Sequence, residues 1–293
     1  MQKIVPFLWL DNQAAEAADL YTSIFPNSKL GTVSRYGEGS PGQPGSVMSV
    51  SFELEGLQFH ALNGGPLFKF TPSVSFFVGC ETPEEIDALW KSLSEGGIVR
   101  MELQAYPFSD RFGWVADRYG LNWQLNLSSR NRGITPFLMF AGEQDGLAAD
   151  AIQKYTSIFG DSGTRQIERY SAGEPGQEGN VKHATFLLAG QEFMAMDGGR
   201  QHQFGFTEAT SFFVNCDTQQ EVDELWEKLT EGGEESQCAW LKDHYGVSWQ
   251  IVPTVLGQML GDPDPAKARR VMEAMLQMRK IDIATLRRAY DNR

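Results

Sequence analysis

The sequence lacks any apolar run approaching the roughly 20 residues that a membrane-spanning helix needs. Its first residues, Met1 to Pro6, also lack the long apolar core of a secretory signal peptide. We therefore expect a cytoplasmic protein that does not enter a membrane. Cysteine is scarce as well, and the three residues Cys80, Cys216 and Cys238 suit reduced thiols, because an odd number without an export signal predicts no disulfide framework.

Positive charge is in short supply. The chain has 25 Lys and Arg against 38 Asp and Glu, which gives a net charge of −13. A nucleic-acid partner is not expected, because a phosphate backbone is bound by clustered basic side chains. An anionic membrane surface is not expected for the same reason. At 293 residues the chain is long enough for two domains with full cores.

Internal repetition is the strongest positive signal in the sequence. Tyr21–Phe25 returns unchanged as Tyr155–Phe159, and Ser75–Val78 returns as Ser211–Val214. The offset between copies drifts from 134 to 136 residues and falls to 126 at the last predicted strand. Small gaps in loops explain this drift, so the chain contains two homologous halves.

We predict three regions from this repeat: a first domain over 1–128, a second domain over 133–255, and a helical tail over 256–293. The short polar stretch 128–133 is the predicted linker. In the tail, Asp262-Pro263-Asp264-Pro265 predicts a helix start, and a second short helix should end near Tyr290. We expect the tail to cover a sheet face or a subunit contact, which leaves a homodimer open.

Each half repeats one order of elements twice. An apolar strand over 4–10 precedes a helix that Asp11 or Asn12 should cap and that Pro26 should end. Three strand-like runs follow, and the order then restarts with a strand over 73–80 and a capping box that begins at Thr82. The fold class is therefore α+β, built from four strand-helix-three-strand (βαβββ) units plus C-terminal helices.

One stretch draws attention to a site. Gly120–Leu127 reads as a turn followed by a strand, and it recurs as Gly246–Val252. Because alternate side chains of a strand point to opposite faces, Trp123 and Leu125 should lie on one face and Gln124 on the other. A polar row inside an apolar strand predicts either a wet surface or a lined pocket.

Two matching loops join neighbouring strands, at 38–45 and 173–179, and both are rich in Gly and Pro. We interpret them as hairpin tips, with a lid over a cavity as the alternative.

The motifs that carry a family resemblance cover nearly the whole chain: Pro6–Asp11, Tyr21–Ser28, Ala61–Gly65, Trp240–Asp243, Trp249–Pro253, and the tail motifs at 262–265 and 280–283. Together they resemble the PhnB-like branch of the vicinal oxygen chelate superfamily, described as 3-demethylubiquinone-9 3-methyltransferase. The resemblance implies that each half curls its sheet into a glyoxalase-like cup around a cavity. It also implies a fused pseudo-dimer.

Metal enzymes of that superfamily hold one divalent ion per cup with His and Glu from four strands. The matching positions here offer Phe7 or Phe137 on the first strand and His60 or Met194 on the fourth. The final Glu position holds Gln124 or Gln250, which carry no charge. We predict no metal site. We also predict no bound cofactor, because no G-x-G-x-x-G stretch lies between a strand and a helix, as S-adenosylmethionine binding would favour.

What remains is a cup lined by aromatic side chains with a few polar groups, which is typical of a site for a small organic molecule. Cys238 as a nucleophile would need a base, and only His244 lies near it in sequence. The candidate ligand-binding residues are Trp9, His60, Gln124, Trp123, Trp114, Gln250, Trp249, Trp240, Cys238, Arg35 and Arg169.

Three functions stay open from sequence. The favoured one is a metal-independent small-molecule-binding protein of the glyoxalase and bleomycin-resistance type, with an unknown ligand. The first alternative is an enzyme of the same superfamily, either the named methyltransferase or, if the strands are misaligned, a metal-dependent lyase or dioxygenase. The second is a structural or interaction protein that docks through the tail.

Overall fold

The computed structural model describes residues 1–37, 42–128 and 132–292. The chain divides into two compact units. One comprises Met1–Val5 with Ser211–Arg293, and the other comprises Pro6–Thr210. The class is α+β, as predicted, with two curved eight-stranded sheets and seven α-helices in the described residues.

The larger unit, Pro6–Thr210, holds most of the four-fold repeat. Its elements are β1 (Ile4–Leu10, which begins in the other unit), α1 (Ala14–Ile24), β2 (Lys29–Arg35), β3 (Val47–Leu54), β4 (Leu57–Asn63), β5 (Val74–Cys80), α2 (Pro83–Ser94), β6 (Ile98–Tyr106), β7 (Ser109–Ala116), β8 (Asn122–Leu127), β9 (Gly133–Ala141), α3 (Ala148–Ile158), β10 (Gly163–Arg169), β11 (Val181–Leu188) and β12 (Gln191–Gly199).

The smaller unit contains the rest of the last repeat and the tail. Its elements are β13 (Thr210–Cys216), α4 (Gln219–Thr230), β14 (Glu234–Glu235), β15 (Trp240–Lys242), β16 (Ser248–Pro253), α5 (Thr254–Leu260), α6 (Pro265–Leu276) and α7 (Ile283–Asp291).

One complete sheet of the larger unit joins strands from both halves of the sequence. Its order is β10-β11-β12-β9-β5-β8-β7-β6. The junction is the antiparallel pair β5–β9, in which Ser75 lies opposite Phe137. The expectation that each half curls its own sheet into a cup was therefore wrong. The repeat pattern could not reveal this, because four similar units offer several equivalent edges for pairing.

The two repeats of the first half share one hydrophobic core. The indole of Trp123 lies there, with ring centroids 5.2 Å from Tyr21 and 5.5 Å from Phe76. Leu125 and the buried side of α2 belong to the same cluster. Burying such side chains contributes roughly 1.5–3 kcal/mol each. This core lies on the face of β5 and β8 that carries α2, so the opposite face is left for other contacts.

Helix α1 corrects a prediction. Neither Asp11 nor Asn12 caps it, since the N-cap residue is Gln13 without a side-chain cap bond. Instead, the side-chain Oδ1 of Asn63, at the end of β4, accepts a hydrogen bond of 2.8 Å from Ala14 N. A residue distant in sequence thus replaces the local cap. The predicted cap of α2 is confirmed, because Thr82 accepts a hydrogen bond from Glu85 N.

The tail forms a second apolar cluster in the smaller unit. Helices α6 and α7 were predicted, and Asp264 and Asp282 cap them, whereas α5 was missed. The cluster brings tail residues such as Val271 and Leu286 together with Val252 of β16 and Phe213 of β13. The tail therefore covers part of a sheet face in its own unit.

The tail lies where the last repeat is short. Trp114 lies 17 positions after Gly97, but Trp240 lies only seven positions after Gly233. Strands β14 and β15 are correspondingly reduced to two and three residues. The turn that replaces the longer hairpin includes Cys238, which has a positive φ and donates its N–H to Met278 O of the tail at 2.8 Å.

Candidate functional site

The face of the larger unit's complete sheet that lies opposite α2 and α3 is the strongest candidate site. Directly opposed strand residues share a face. Gln124 lies opposite Trp114 and Phe77, and Ser75 lies opposite Phe137, which in turn lies opposite Met194. We call this surface the Gln124 face, defined by Trp114, Gln124, Phe77, Ser75, Phe137 and Met194.

A buried polar pair lies in the middle of this apolar surface. Gln124 is 6% exposed and donates from Nε2 to Ser75 Oγ at 2.8 Å. Ser75 is fully buried. Among the described residues, no donor bonds to the other end of the amide, Gln124 Oε1. The pair thus presents one acceptor to whatever occupies the face.

Trp123 was grouped with the cavity candidates, but the structure places it in the core on the other side of β8. Its indole N–H donates to Asp117 Oδ2 at 2.8 Å. Asp117 also accepts hydrogen bonds from Tyr21 OH at 2.6 Å and from Leu121 N at 3.0 Å. Burial raises the pKa of Asp117, and these hydrogen bonds oppose the rise. Trp123 therefore anchors β8 from behind the Gln124 face.

The Asp117–Trp123 bond was missed from sequence, although its signal was visible. The spacing Asp117-x-x-Gly120-x-x-Trp123 recurs as Asp243-x-x-Gly246-x-x-Trp249. Both glycines have φ of +90°, which only Gly adopts without strain, so the turn folds back and brings the carboxylate under the indole.

The smaller unit repeats this arrangement with its own residues. Gln250 donates from Nε2 to Ser211 Oγ at 2.9 Å, and the Trp249 indole donates to Asp243 Oδ2 at 2.8 Å. Trp240 lies opposite Gln250 in the register. Trp249 is thus a core residue like Trp123, while Gln250 and Trp240 share the opposite face.

Cys238 lies beside the tail. Its Sγ is 3.9 Å from Met275 O, and burial raises the pKa of the thiol. A raised pKa keeps the sulfur protonated and makes it a weak nucleophile. This environment favours a structural position for Cys238.

The indole N–H of Trp114 is a buried donor without a partner among the described residues, which is unusual in a protein interior. An enclosed, unpaired donor costs roughly 1–3 kcal/mol. The register places Trp114 opposite Gln124, so its side chain is on the Gln124 face.

Trp9 and His60 lie on a different part of the larger unit. The Trp9 indole donates to Gly65 O at 2.8 Å and lies directly over Gly64, where a Cβ would come within 2.2 Å of the ring. His60 is opposite Phe7 in the parallel pair of β1 and β4, and burial lowers the pKa of its imidazole. Neither residue belongs to the Gln124 face.

The two candidate arginines hold loops. Arg35 donates to Gly45 O at 2.9 Å, and Arg169 donates to Gly179 O at 2.6 Å. Each closes the base of a Gly-rich hairpin loop. Of the first loop, residues 38–41 lie outside the described residues, so the alternative of a lid there stays a prediction. Arg169 also borders an open groove of about 500 Å³ between α3 and β10.

Two charged or titratable residues near the Gln124 face were missed from sequence. His183 on β11 lies with its ring centroid 6.0 Å from Phe137, and burial lowers its pKa. Arg100 on β6 donates from Nε to Asn122 Oδ1 at 2.6 Å. Each contact joins two strands that are not consecutive in the sequence, so no local motif predicts it.

A divalent ion does not fit the Gln124 face. The strands that would supply its ligands present Phe137, Met194, Ser75 and Gln124, which offer two neutral oxygens and a thioether but no carboxylate or imidazole. Hard divalent ions favour charged oxygen ligands. In the described ranges, no group of three or more His, Cys, Asp or Glu side chains is placed to hold a metal ion.

The family model described as 3-demethylubiquinone-9 3-methyltransferase matches residues 2–126 and again residues 132–252. The chain belongs to this family. It carries two copies of the family's domain in tandem, as the internal repeat predicted. A search of curated proteins found no match.

Solved structures agree with the fold. Glyoxalase I from Zea mays is 10% identical over 85% of this chain and 90% of its own, with a TM-score of 0.53. A protein from Bacillus subtilis provisionally named a dioxygenase is 12% identical over 98% of this chain and 94% of its own, with a TM-score of 0.51. These likenesses show that the chain has a glyoxalase-like fold.

A protein of the same named family has been solved from Bacillus cereus, provisionally named a 3-demethylubiquinone-9 3-methyltransferase, PhnB protein. It is 43% identical and covers 43% of this chain and 100% of its own, with a TM-score of 0.42. Separately, no helix in the described part of the chain has the length and apolar character needed to cross a membrane.

Proposed function

We propose that the Gln124 face binds a small, largely apolar organic molecule and does so without a metal ion. The observation that supports this most directly is the buried Gln124–Ser75 pair, whose one unpaired acceptor lies among apolar side chains. Binding sites for small molecules combine an apolar lining with a few fixed polar groups. The pair has that character, and it is held rigidly by β5 and β8.

The lining supports an adaptable site. Met194 and Met196 on β12 and Met139 on β9 accompany Phe137 on the same face. Methionine side chains are flexible and polarisable, so they fit ligands of irregular outline. A hydrogen bond from the ligand to Gln124 Oε1 would fix its orientation, and water would be excluded by the apolar neighbours.

Titration with a neutral fluorescent arylamine, N-phenyl-1-naphthylamine, tests this proposal. We expect saturable enhancement of probe fluorescence with the wild-type protein, unchanged after dialysis against EDTA. Met196→Trp adds bulk to the half-buried part of the face and should weaken binding about tenfold or more. Leu67→Trp adds the same indole on an exposed loop and should leave the affinity unchanged.

Two results would contradict the proposal. One is the absence of saturable binding by the wild-type protein. The other is equal weakening by both tryptophan variants, which would place the probe elsewhere. Loss of binding on EDTA treatment, with recovery on adding a divalent ion, would overturn the metal-independent part alone.

A further inference from the structure

We propose that the ligand of the Gln124 face is an organic anion with an apolar body, and that its carboxylate pairs with Arg100. This inference rests on the proposed function and adds the chemical class of the ligand. Four observations support it. The Arg100 side chain is fixed by a hydrogen bond, has no acidic partner among the described residues and lies on the Gln124 face. The last repeat has no arginine at the equivalent position.

Arg100 is held in place by a buried amide. Its Nε donates to Asn122 Oδ1 at 2.6 Å, and Asn122 is fully buried. The Asn122 side chain is fixed in turn, because its Nδ2 donates to Gly120 O at 3.1 Å and to Thr71 O at 3.3 Å. The Nε–H of the guanidinium is therefore already hydrogen-bonded. Its two terminal nitrogens remain available, and the bond to Asn122 fixes the plane in which they lie.

The positive charge of Arg100 is not compensated. Within the residues that the structure describes, no carboxylate forms an ion pair with it, and the bond to Asn122 is the hydrogen bond that its side chain makes. Burial lowers the pKa of the guanidinium, although arginine stays charged at any ordinary pH. A partly desolvated cation without a partner is favourable to an incoming anion, and the planar fork matches a carboxylate with two parallel hydrogen bonds.

The Arg100 guanidinium bonds to a side chain on the Gln124 face. Asn122 lies opposite Ala116 on β7 and opposite Ser75 on β5, so it shares the face of Gln124. The small Ala116 side chain leaves room for Arg100 to cross β7 from β6. Asn122 and Gln124 are two residues apart on one strand, which separates their Cα atoms by roughly 6.5–7 Å. A carboxylate at Arg100 would therefore leave an attached ring beside Gln124 and Phe77.

The last repeat lacks this group. The register that pairs Ile98 with Ala116 pairs Glu234 with Lys242, so the position of Arg100 is taken by Ser236. Ser236 N instead bonds to Trp240 O at 2.9 Å in the shortened hairpin. The anion preference should thus belong to the Gln124 face alone.

The experiment compares two probes of nearly equal shape, 2-naphthoate and 2-naphthamide, by isothermal titration calorimetry at pH 7. With the wild-type protein we expect the anion to bind roughly ten- to hundredfold more tightly than the amide, the range for a hydrogen-bonded charge pair. Arg100→Gln should remove this preference and leave the affinity for the amide within about twofold. Arg100→Lys should retain part of it.

Arg111→Gln is the matched control, because Arg111 lies on the neighbouring strand and pairs with Asp87. It should leave both affinities unchanged. Equal affinity of the wild-type protein for the two probes would overturn the anion assignment while the proposed function stands. An unchanged preference in a folded Arg100→Gln protein would also overturn it. Failure of both probes to bind would remove the proposed function and this inference together.

Discussion

Replacing the carboxylate of Asp117 by an amide, Asp117→Asn, probes the bond that holds β8 in place. In the native protein one carboxylate oxygen accepts from Tyr119 N at 2.9 Å and Leu121 N at 3.0 Å. The other accepts from Tyr21 OH and from the Trp123 indole. Asparagine keeps the first oxygen but directs an NH2 group at the second pair of donors.

The expected magnitude follows from which donor can adapt. The Tyr21 hydroxyl can rotate and accept from the new NH2 group, but the Trp123 N–H has no second role. An orphaned buried donor costs roughly 1–3 kcal/mol, and the desolvation that raises the pKa of Asp117 is relieved by the change. We expect a net loss of about 2 kcal/mol in the free energy of unfolding.

Urea unfolding followed by tryptophan fluorescence at pH 7 measures this loss. With a slope of about 2 kcal/mol/M, the midpoint should fall by about 1 M. Asp110→Asn removes an equal charge from the exposed part of β7 and should shift the midpoint little. A loss below about 0.5 kcal/mol for Asp117→Asn would refute the reasoning, since the buried carboxylate would then cost as much as its hydrogen bonds contribute.

Three further predictions concern pH, the tail and a turn. Because burial lowers the pKa of His183 in the folded protein, protonation of its imidazole opposes folding, and the free energy of unfolding should fall as pH drops below about 6.5. His183→Gln should flatten the plot of unfolding free energy against pH between pH 7.5 and 5.5. An unchanged slope of that plot would contradict this prediction. Leu286→Ala, in the tail cluster, should cost about 2–5 kcal/mol in urea unfolding, whereas Leu276→Ala on the exposed side of α6 should cost under about 0.5; equal costs would argue against the cluster. Gly120→Ala should lower the free energy of unfolding by about 1–3 kcal/mol through backbone strain alone, because the added Cβ would meet no close contact. Gly257→Ala inside α5 should instead raise stability by about 0.5–1 kcal/mol. An unchanged stability of Gly120→Ala would contradict the strain argument.

Local patterns were read correctly where one segment decides the outcome. The alternation that separates Trp123 from Gln124 and the cap at Thr82 both appear in the structure as predicted. The cap of α1 was not predictable in the same way, because Asn63 from β4 takes the place of Asp11 or Asn12. Tertiary contacts override local preference at that point.

The parts of the site that escaped prediction depend on long-range geometry. Arg100 reaches Asn122 across β7, and Phe137 comes beside Ser75 only because β9 pairs with β5. Neither contact produces a recognisable residue spacing in the sequence. The family match identifies the fold but not the ligand, whereas the register of the strands defines the Gln124 face.

The pairing of β5 with β9 makes the two sequence halves depend on each other. Val74–Gly79 and Gly133–Leu138 form six consecutive partner positions in one ladder. A chain cut within 129–131 would leave each fragment with a bare strand edge, which is prone to self-association. Co-expressed, the two fragments should reassemble through that ladder, as in a split-protein reporter. Each half of the sequence should therefore act as a complementation partner for the other, and the intact chain supplies the two halves in equal amounts.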